Sequence, residues 1–559
     1  MNRYSLGIDY GTSSCRAIVV DLTDGSEVAE AVYHYQAGTG GVITIDSDPE
    51  LARQDPADYL AGLEFTAREA IAKAVATVPG FVPAEIASVG FATTGSTPIP
   101  VDREGTALSL LPQFKDRLAA KAWLWKDHTS HEEAARITDT AWKMRPDYIR
   151  AYGGTYSSEW FWAKIWHCSV EDPEVFEAAY SWVELTDFLV GALTGTAAPD
   201  KLKRSATPAG HKAFYSEAWG GLPDEEFLNA LDPKLAALRS RLYDKAYPTT
   251  DIAGYVTPDW AERTGLEVGT PVAVGHFDAH AAGVAGGARE GTFVKVMGTS
   301  TCDVTVIPAR ADGSIPDIPG MCGVVPDAII PGKLSVEAGQ SAVGDIFNWF
   351  SNEFLGGAGA TDDLAIIGAR AEQLRAGEHG LLALDWQNGN RSVLVDQRLT
   401  GLILGLTLHT EPHHVLRALV EATAFSARRI IETVEAGGSP ITRVVAAGGL
   451  PSHAPWMIQV YADVIGREII ATASAQGSAL GAALVAAVAA GEFESIEEAQ
   501  DRLVHYRDHV FTPSADAAEV YNRIYAEFTA VHDAFAKTGV LGSVMKHMLD
   551  IRDAALKED

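Results

Sequence analysis

Residues 4–9 and 15–21 are crowded with Ile, Val, Leu and Tyr, and the polar stretch Gly11-Thr12-Ser13-Ser14 separates them. That pattern predicts two β-strands joined by a tight connection, with a second turn at Asp24-Gly25. Asp55-Pro56 then offers an N-cap followed by a first-turn proline. The apolar stripe Leu60, Leu63, Ala67, Ala70, Ile71, Ala74 continues at helical spacing until Pro79-Gly80 ends it. A strand over Ile86–Phe91 runs into the polar loop that contains Thr94-Gly95-Ser96-Thr97. The second half repeats the style. It shows a strand at Pro271–Val274 before a small-residue helix, a strand at Arg443–Ala447, and a Gly-Gly turn at 448–449. A helix from Pro455, a strand at Glu468–Thr472 and an Ala-rich helix after Gln476 follow.

Strand–loop–helix order in both halves predicts two α/β domains, and 559 residues are too many for one core. The change of style near residue 268 divides the chain into 1–268 and 269–515. A helical tail of mixed charge, 516–559, is expected to pack on the surface. Hydrophobic residues make up 47% and charged residues 21%, a globular mixture. The formal net charge of −30 disfavours nucleic acid and anionic membrane as partners. Any phosphate must therefore be attracted by local amide groups. Four scattered cysteines give neither a disulfide framework nor a zinc site, and Cys15 and Cys302 read as small buried strand residues. The pairs His413-His414 and His128/His131 carry no acid or cysteine pattern for metal. The apolar run Leu480 to Ala490 is half of the roughly 20 residues a membrane helix needs. No basic-then-apolar leader precedes Leu6, so a cytoplasmic location is expected. Tryptophans concentrate in 120–220, most of them expected in the core and the remainder on a pocket wall.

One small motif occurs twice. Gly11-Thr12-Ser13-Ser14-Cys15 interrupts the first pair of strands, and Gly298-Thr299-Ser300-Thr301-Cys302 interrupts another apolar pair. Glycine allows close backbone approach, successive N–H groups converge, and hydroxyls add donors, which together form a nest for phosphate oxygens. Each copy alone reads more readily as a plain hairpin turn. Two copies, one per domain, point to a polyphosphate gripped from both sides of a cleft. Asp9 would then face a bound Mg²⁺, which prefers few carboxylates and many waters.

With these motifs the chain resembles the FGGY carbohydrate kinases of the actin-like ATPase superfamily. The resemblance runs along essentially the whole length, through "GIDYGTSSCRAIVVD", "TTGSTPIPVD", "AGHKAF", "VGHFDAH", "MGTSTC" and "AAGGLPSHAPWMIQVYADVIGREI". The segments "LWKDHT", "SSEW", "EAGQSAVGDIFNWF" and "GNRSVLVD" are similar to the ribulokinase branch in particular. The resemblance implies two actin-like (ribonuclease H-like) ATPase domains with an interdomain cleft. It implies ATP and Mg²⁺ as cofactors and a ketopentose as substrate, phosphorylated at its 5-hydroxyl, L-ribulose foremost. Other pentuloses or a pentitol are the alternatives, and an actin-like ATP-driven chaperone or switch protein is the alternative from another class. Family members are often dimers, but no segment proves an interface.

Residue by residue, the resemblance makes Asp278 the base that takes the hydroxyl proton; a helix N-cap is the structural alternative. Lys212 and Glu337 resemble sugar-binding residues, with a surface lysine and a surface or capping glutamate as the alternatives. Ser96 and Thr97 resemble sugar contacts. Thr12, Ser13, Ser14 and Arg16 would hold the phosphates from one side, and Gly298, Thr299 and Ser300 from the other. Gly448, Gly449, Ser452 and His453 correspond to an adenosine pocket that Gly344 and Asn348 complete. Ala92 stands where the branch often carries Asp, which leaves substrate choice open.

Overall fold

The computed structural model describes residues 4–355, 360–536 and 539–556. Two seven-stranded sheets organise it. In the first, strands Tyr4–Tyr10, Ser14–Asp21 and Glu27–His34 form an antiparallel meander. Ile86–Thr93 and then Pro271–Ala273 add in parallel, Ile252–Tyr255 closes the edge antiparallel, and His276–Phe277 extends the pairing along Ile86–Thr93. The second sheet repeats that plan. Thr292–Met297, Thr301–Pro308 and Lys333–Ala338 form the meander. Arg443–Gly448 and Ile469–Thr472 add in parallel, and Tyr506–Phe511 closes the edge. Gly323–Pro326 adds one strand on the far side. The duplication seen in a five-residue turn thus extends to strand order and direction, and in both sheets the turn joins the first two strands.

The elements form where the pattern predicts. Helix Pro56–Thr77 starts with the Asp55 carboxylate accepting the Ala57 N–H, and it buries Leu63, Ala67, Ala70, Ile71 and Ala74 against the first sheet. Two differences concern the division of the chain. Pro271–Ala273 and His276–Phe277, assigned by sequence to the second domain, belong to the first sheet. The stylistic break near 268 marks a loop, whereas sheet membership is decided by long-range pairing. The tail is not a surface appendage: in helix Ala515–Phe535, Tyr521, Tyr525 and Phe528 are buried in the core beneath the second sheet. Their spacing of three to four residues is an apolar stripe that the surrounding charges obscure.

Helices Asp278–Ala285 and Gly477–Ala489 lie between the two sheets and pack on one another. Here backbone meets backbone. A Cβ added at Gly481 would lie 1.8 Å from the Ala281 carbonyl oxygen, one at Gly7 1.9 Å from that of Ala479, and one at Gly90 2.1 Å from that of Ala482. This explains the apolar run near 480: small residues let a buried helix touch both a sheet and its partner helix. Among the described residues no helix is long and apolar enough to cross a membrane. Behind the second turn lies a buried polar network. Lys295 Nζ donates to both Asp303 carboxylate oxygens at 3.0 Å and to Gln340 Oε1 at 2.5 Å, and Gln340 donates on to Asp385 at 2.7 Å.

Candidate active site

The two turns come together. Thr12 from the first and Gly298, Thr299 and Ser300 from the second line one cavity of about 240 Å³, shared with Asp278, Lys212 and Glu337. The first turn closes through Gly11 N–H to the Ser14 carbonyl at 3.0 Å, and Trp125 Nε1 donates to Thr12 Oγ1 at 3.0 Å. Ser13 is exposed, and Arg16 reaches across to Gln476 Oε1 at 2.5 Å, just before the inter-sheet helix.

The second turn is braced from two sides. The N–H groups of Val343 and Asp345 donate to the Thr299 carbonyl, and that of Gly344 to the Gly298 carbonyl at 3.1 Å. A Cβ at Gly344 would meet that carbonyl oxygen at 2.6 Å, so only glycine allows this approach. Gly448 pairs with Met297 in the parallel register, at φ +94°, and a Cβ there would lie 2.4 Å from the Met297 carbonyl oxygen. Gly344 and Gly448 therefore abut the turn at 298–300. Gly449 caps the short helix Leu450–His453, whose His453 ring contacts the Gly449 carbonyl at 2.8 Å, and Ser452 accepts from Arg507 at 2.6 Å. Asn348 lies on an exposed helix face and is not on the cavity wall.

Asp278 is the first residue of its helix, and its carboxylate accepts the Ala279 N–H at 2.7 Å. It does not cap the helix; that position is Phe277. Burial, with the Glu337 charge adding, raises its pKa to about 6. Asp9 is raised to about 8 by burial and then by the Asp278 charge, against the pull of Arg16. Its Oδ1 is buried and has no hydrogen-bond partner among the described residues. An unsatisfied carboxylate oxygen near a second carboxylate is a donor set that fits a divalent cation.

Lys212 ends helix Ala206–Lys212 and donates to Glu337 Oε1 at 2.7 Å. Its ammonium lies 5.3 Å from the Trp160 ring and 5.7 Å from that of Phe277, both on the cavity wall. Burial alone would raise the Glu337 carboxyl, but Lys212, the His280 hydrogen bond and His211 hold it well below the ordinary range. Neither residue is a surface group.

Ser96 and Thr97 face inward. The Ser96 hydroxyl donates to Glu184, as does the Thr97 N–H at 2.8 Å, and Lys164 takes the Ser96 carbonyl at 2.9 Å. What this loop presents to the cavity is Thr94 and Gly95. Ala92 is in register with Asp9 and packs on Ala281 and Ala482. Trp125, Glu159, Trp160, His280 and Arg391, which lie in the motif segments but are not singled out by them, also line the wall. The tryptophan-rich composition was the available signal for two of them. Cys302, expected to be buried, is half-buried and lines the cavity.

Comparison with known proteins agrees with this geometry. The FGGY family of carbohydrate kinases, N-terminal domain, matches residues 4–285, and its C-terminal domain matches residues 293–490. A ribulokinase from Shouchella clausii is 40% identical, covering 99% of each chain, and one from Vibrio parahaemolyticus is 36% identical, covering 100% of this chain and 98% of its own. In fold, a xylulose kinase from Rhodospirillum rubrum superimposes with a TM-score of 0.75 at 23% identity, over 95% of this chain and 99% of that one. Twin phosphate-type turns on twin sheets, and these matches over almost the whole length, lead to one conclusion: the chain belongs to the FGGY family of carbohydrate kinases.

Proposed function

We propose that this protein transfers the γ-phosphoryl group of ATP to the 5-hydroxyl of a ketopentose, with L-ribulose the preferred substrate. The observation that carries the reading is the shared cavity: both Gly-Thr-Ser turns, Asp278 and the Lys212–Glu337 pair line it. Full-length relatives named ribulokinase, at 36–40% identity, support the choice of sugar.

The N–H groups and hydroxyls of Thr12, Ser13 and Ser14 hold the phosphates from one sheet, and those of Gly298, Thr299 and Ser300 from the other, with Arg16 adding charge. Gly344 and Gly448 hold the turn at 298–300 in place from behind, and Gly449, Ser452 and His453 border the nucleoside. Mg²⁺, when bound, neutralises phosphate charge, and Asp9 is the residue that would hold it. On the sugar side Lys212 and Glu337 match donors and acceptors to hydroxyls, with Thr94 and Gly95 from the loop that Ser96 and Thr97 anchor. The sugar oxygen attacks the γ-phosphorus, ADP leaves, and the hydroxyl proton passes to Asp278. Positioning supplies about 7–11 kcal/mol of the barrier, whereas a base adds about 10²–10⁴-fold in rate. Most of the work is therefore alignment within the cavity.

A panel of ketopentoses and pentitols with coupled ADP detection tests the reading. L-Ribulose should give the highest kcat/KM. A higher value for D-xylulose, D-ribulose or ribitol reassigns the sugar. ATP hydrolysis indifferent to every sugar and stimulated by unfolded peptide refutes the kinase reading itself.

A further inference from the structure

We propose that His280, braced by His211, is the positioning residue that orients the Glu337 carboxylate toward the hydroxyls of the substrate. The proposal rests on the sugar-kinase reading of this cavity and assigns a role to two residues that reading leaves unused.

The terminal torsion of a glutamate is broad and two-fold, so one contact does not fix the carboxylate plane. Lys212 holds Oε1 at 2.7 Å. His280 Nε2 lies 2.9 Å from Oε2, and an imidazole N–H donating there to an ionised carboxylate is a charge-assisted hydrogen bond. With one donor on each oxygen the plane is set, and the remaining lone pairs stay free for sugar hydroxyls. His280 is the third residue of the helix whose first residue is Asp278. A single helical turn thus fixes both the carboxylate that takes the proton and the one that holds the rest of the sugar.

His211 packs beside His280. Its ring meets that of His280 edge-on, with centroids 4.6 Å apart, and its Nδ1 lies 3.5 Å from Glu337 Oε2. Both rings are fully buried. Room for His211 comes from Gly323, the register partner of Glu337, where a Cβ would lie 2.6 Å from His211 Nδ1. Burial, then the neighbouring His280, hold His211 well below the ordinary imidazole range, which suits a neutral packing ring.

The nitrogens of His211 and His280 and an oxygen of Glu337 also lie within 4.8 Å of one another, close enough for a metal ion. Lys212 argues against that use. Its ammonium already supplies the counter-charge to Glu337, and a cation added to this buried site would be repelled by it.

The test is steady-state kinetics of His280→Gln, His280→Asn and His280→Leu, with sugar and ATP varied separately and thermal melting as a folding control. Glutamine places an N–H near the Nε2 position, whereas the shorter asparagine does not reach Oε2. His280→Asn and His280→Leu should raise the sugar KM about 10–100-fold, the range for losing a hydrogen bond to a charged group. The ATP KM should stay within about twofold, and His280→Gln should restore the sugar KM to within about threefold of wild type. If leucine proves too destabilising to isolate, the asparagine–glutamine contrast carries the test. The substrate is whichever polyol the wild type phosphorylates best, so a wrong pentose changes the assay and not the expected pattern. Wild type indifferent to every polyol would refute the underlying reading and this proposal with it. An unchanged sugar KM in His280→Asn, or glutamine as impaired as asparagine, overturns the proposal. So does inhibition of the wild type by zinc ion alone that His280→Asn relieves, since that outcome assigns the trio to metal.

Discussion

Arg391 Nη2 lies 3.3 Å from Glu159 Oε1, joining residues 232 positions apart on the wall of the same cavity. One belongs to the first half of the chain and the other to the second, so the contact spans the two halves beside the Lys212–Glu337 pair. Burial would raise the Glu159 carboxyl, but Arg391 and then His128 hold it below its ordinary value. Arg391→Met should therefore raise the sugar KM about tenfold or more, as expected for exposing a buried carboxylate to the loss of its partner. A group held low in the folded state stabilises above its unfolded pKa, and that stability is lost as pH falls through the folded value. Urea titrations at falling pH should show a shallower acid loss in Arg391→Met than in wild type.

Asp278→Asn should lower kcat by about 10²–10⁴-fold while calorimetry shows binding of a non-hydrolysable ATP analogue within about threefold of wild type. As the proposed base, Asp278 works ionised. With a pKa of about 6, kcat/KM in the wild type should fall as pH drops below 6. That acid limb should vanish from the residual activity of Asp278→Asn. Wild-type-like turnover in the variant refutes the assignment.

Gly448→Ala places a Cβ 2.4 Å from the Met297 carbonyl oxygen at a φ of +94°. The backbone must shift next to Gly298, so the ATP KM should rise about tenfold or more, from a cost of about 1–2 kcal/mol for the backbone conformation and more for the clash. The sugar KM should move far less. Equal changes in both constants would show a collapse of the whole cleft instead.

Lys295→Met leaves the Asp303 carboxyl buried without its ammonium partner, a change that typically costs about 3–5 kcal/mol. Chemical denaturation should show that loss. The double variant Lys295→Met with Asp303→Leu should recover much of it, because matched apolar replacement of a buried pair is often close to neutral.

What the sequence made legible was whatever is written locally. The paired turns, the strands around them, the Asp55 cap and the helix that opens at Asp278 all sit in continuous segments with their own punctuation. Lys212 and Glu337 were named from the resemblance, yet nothing local says that they touch, since 125 residues separate them. The same limit hid the positions of Glu159 and Arg391. Ser96 and Thr97 illustrate a different failure. Their hydroxyls suit a sugar, but Glu184 and Lys164 claim that loop from inside, and only tertiary structure decides which face of a loop is wet. Strand Pro271–Ala273 joined the first sheet because pairing partners, not composition, settle membership. Asn348 shows that a position within a motif can still point to solvent.

The bare backbone contacts of Gly7, Gly90 and Gly481 with the helix carbonyls carry a mechanical consequence. At these three points backbone presses on backbone with no side chain between, which resists sliding of one lobe over the other. Relative movement of the lobes would instead turn about this contact, which would act as a fulcrum and change the far opening most. Bulk added at the fulcrum should thus be felt where the substrates meet, although neither glycine nor carbonyl ever touches them.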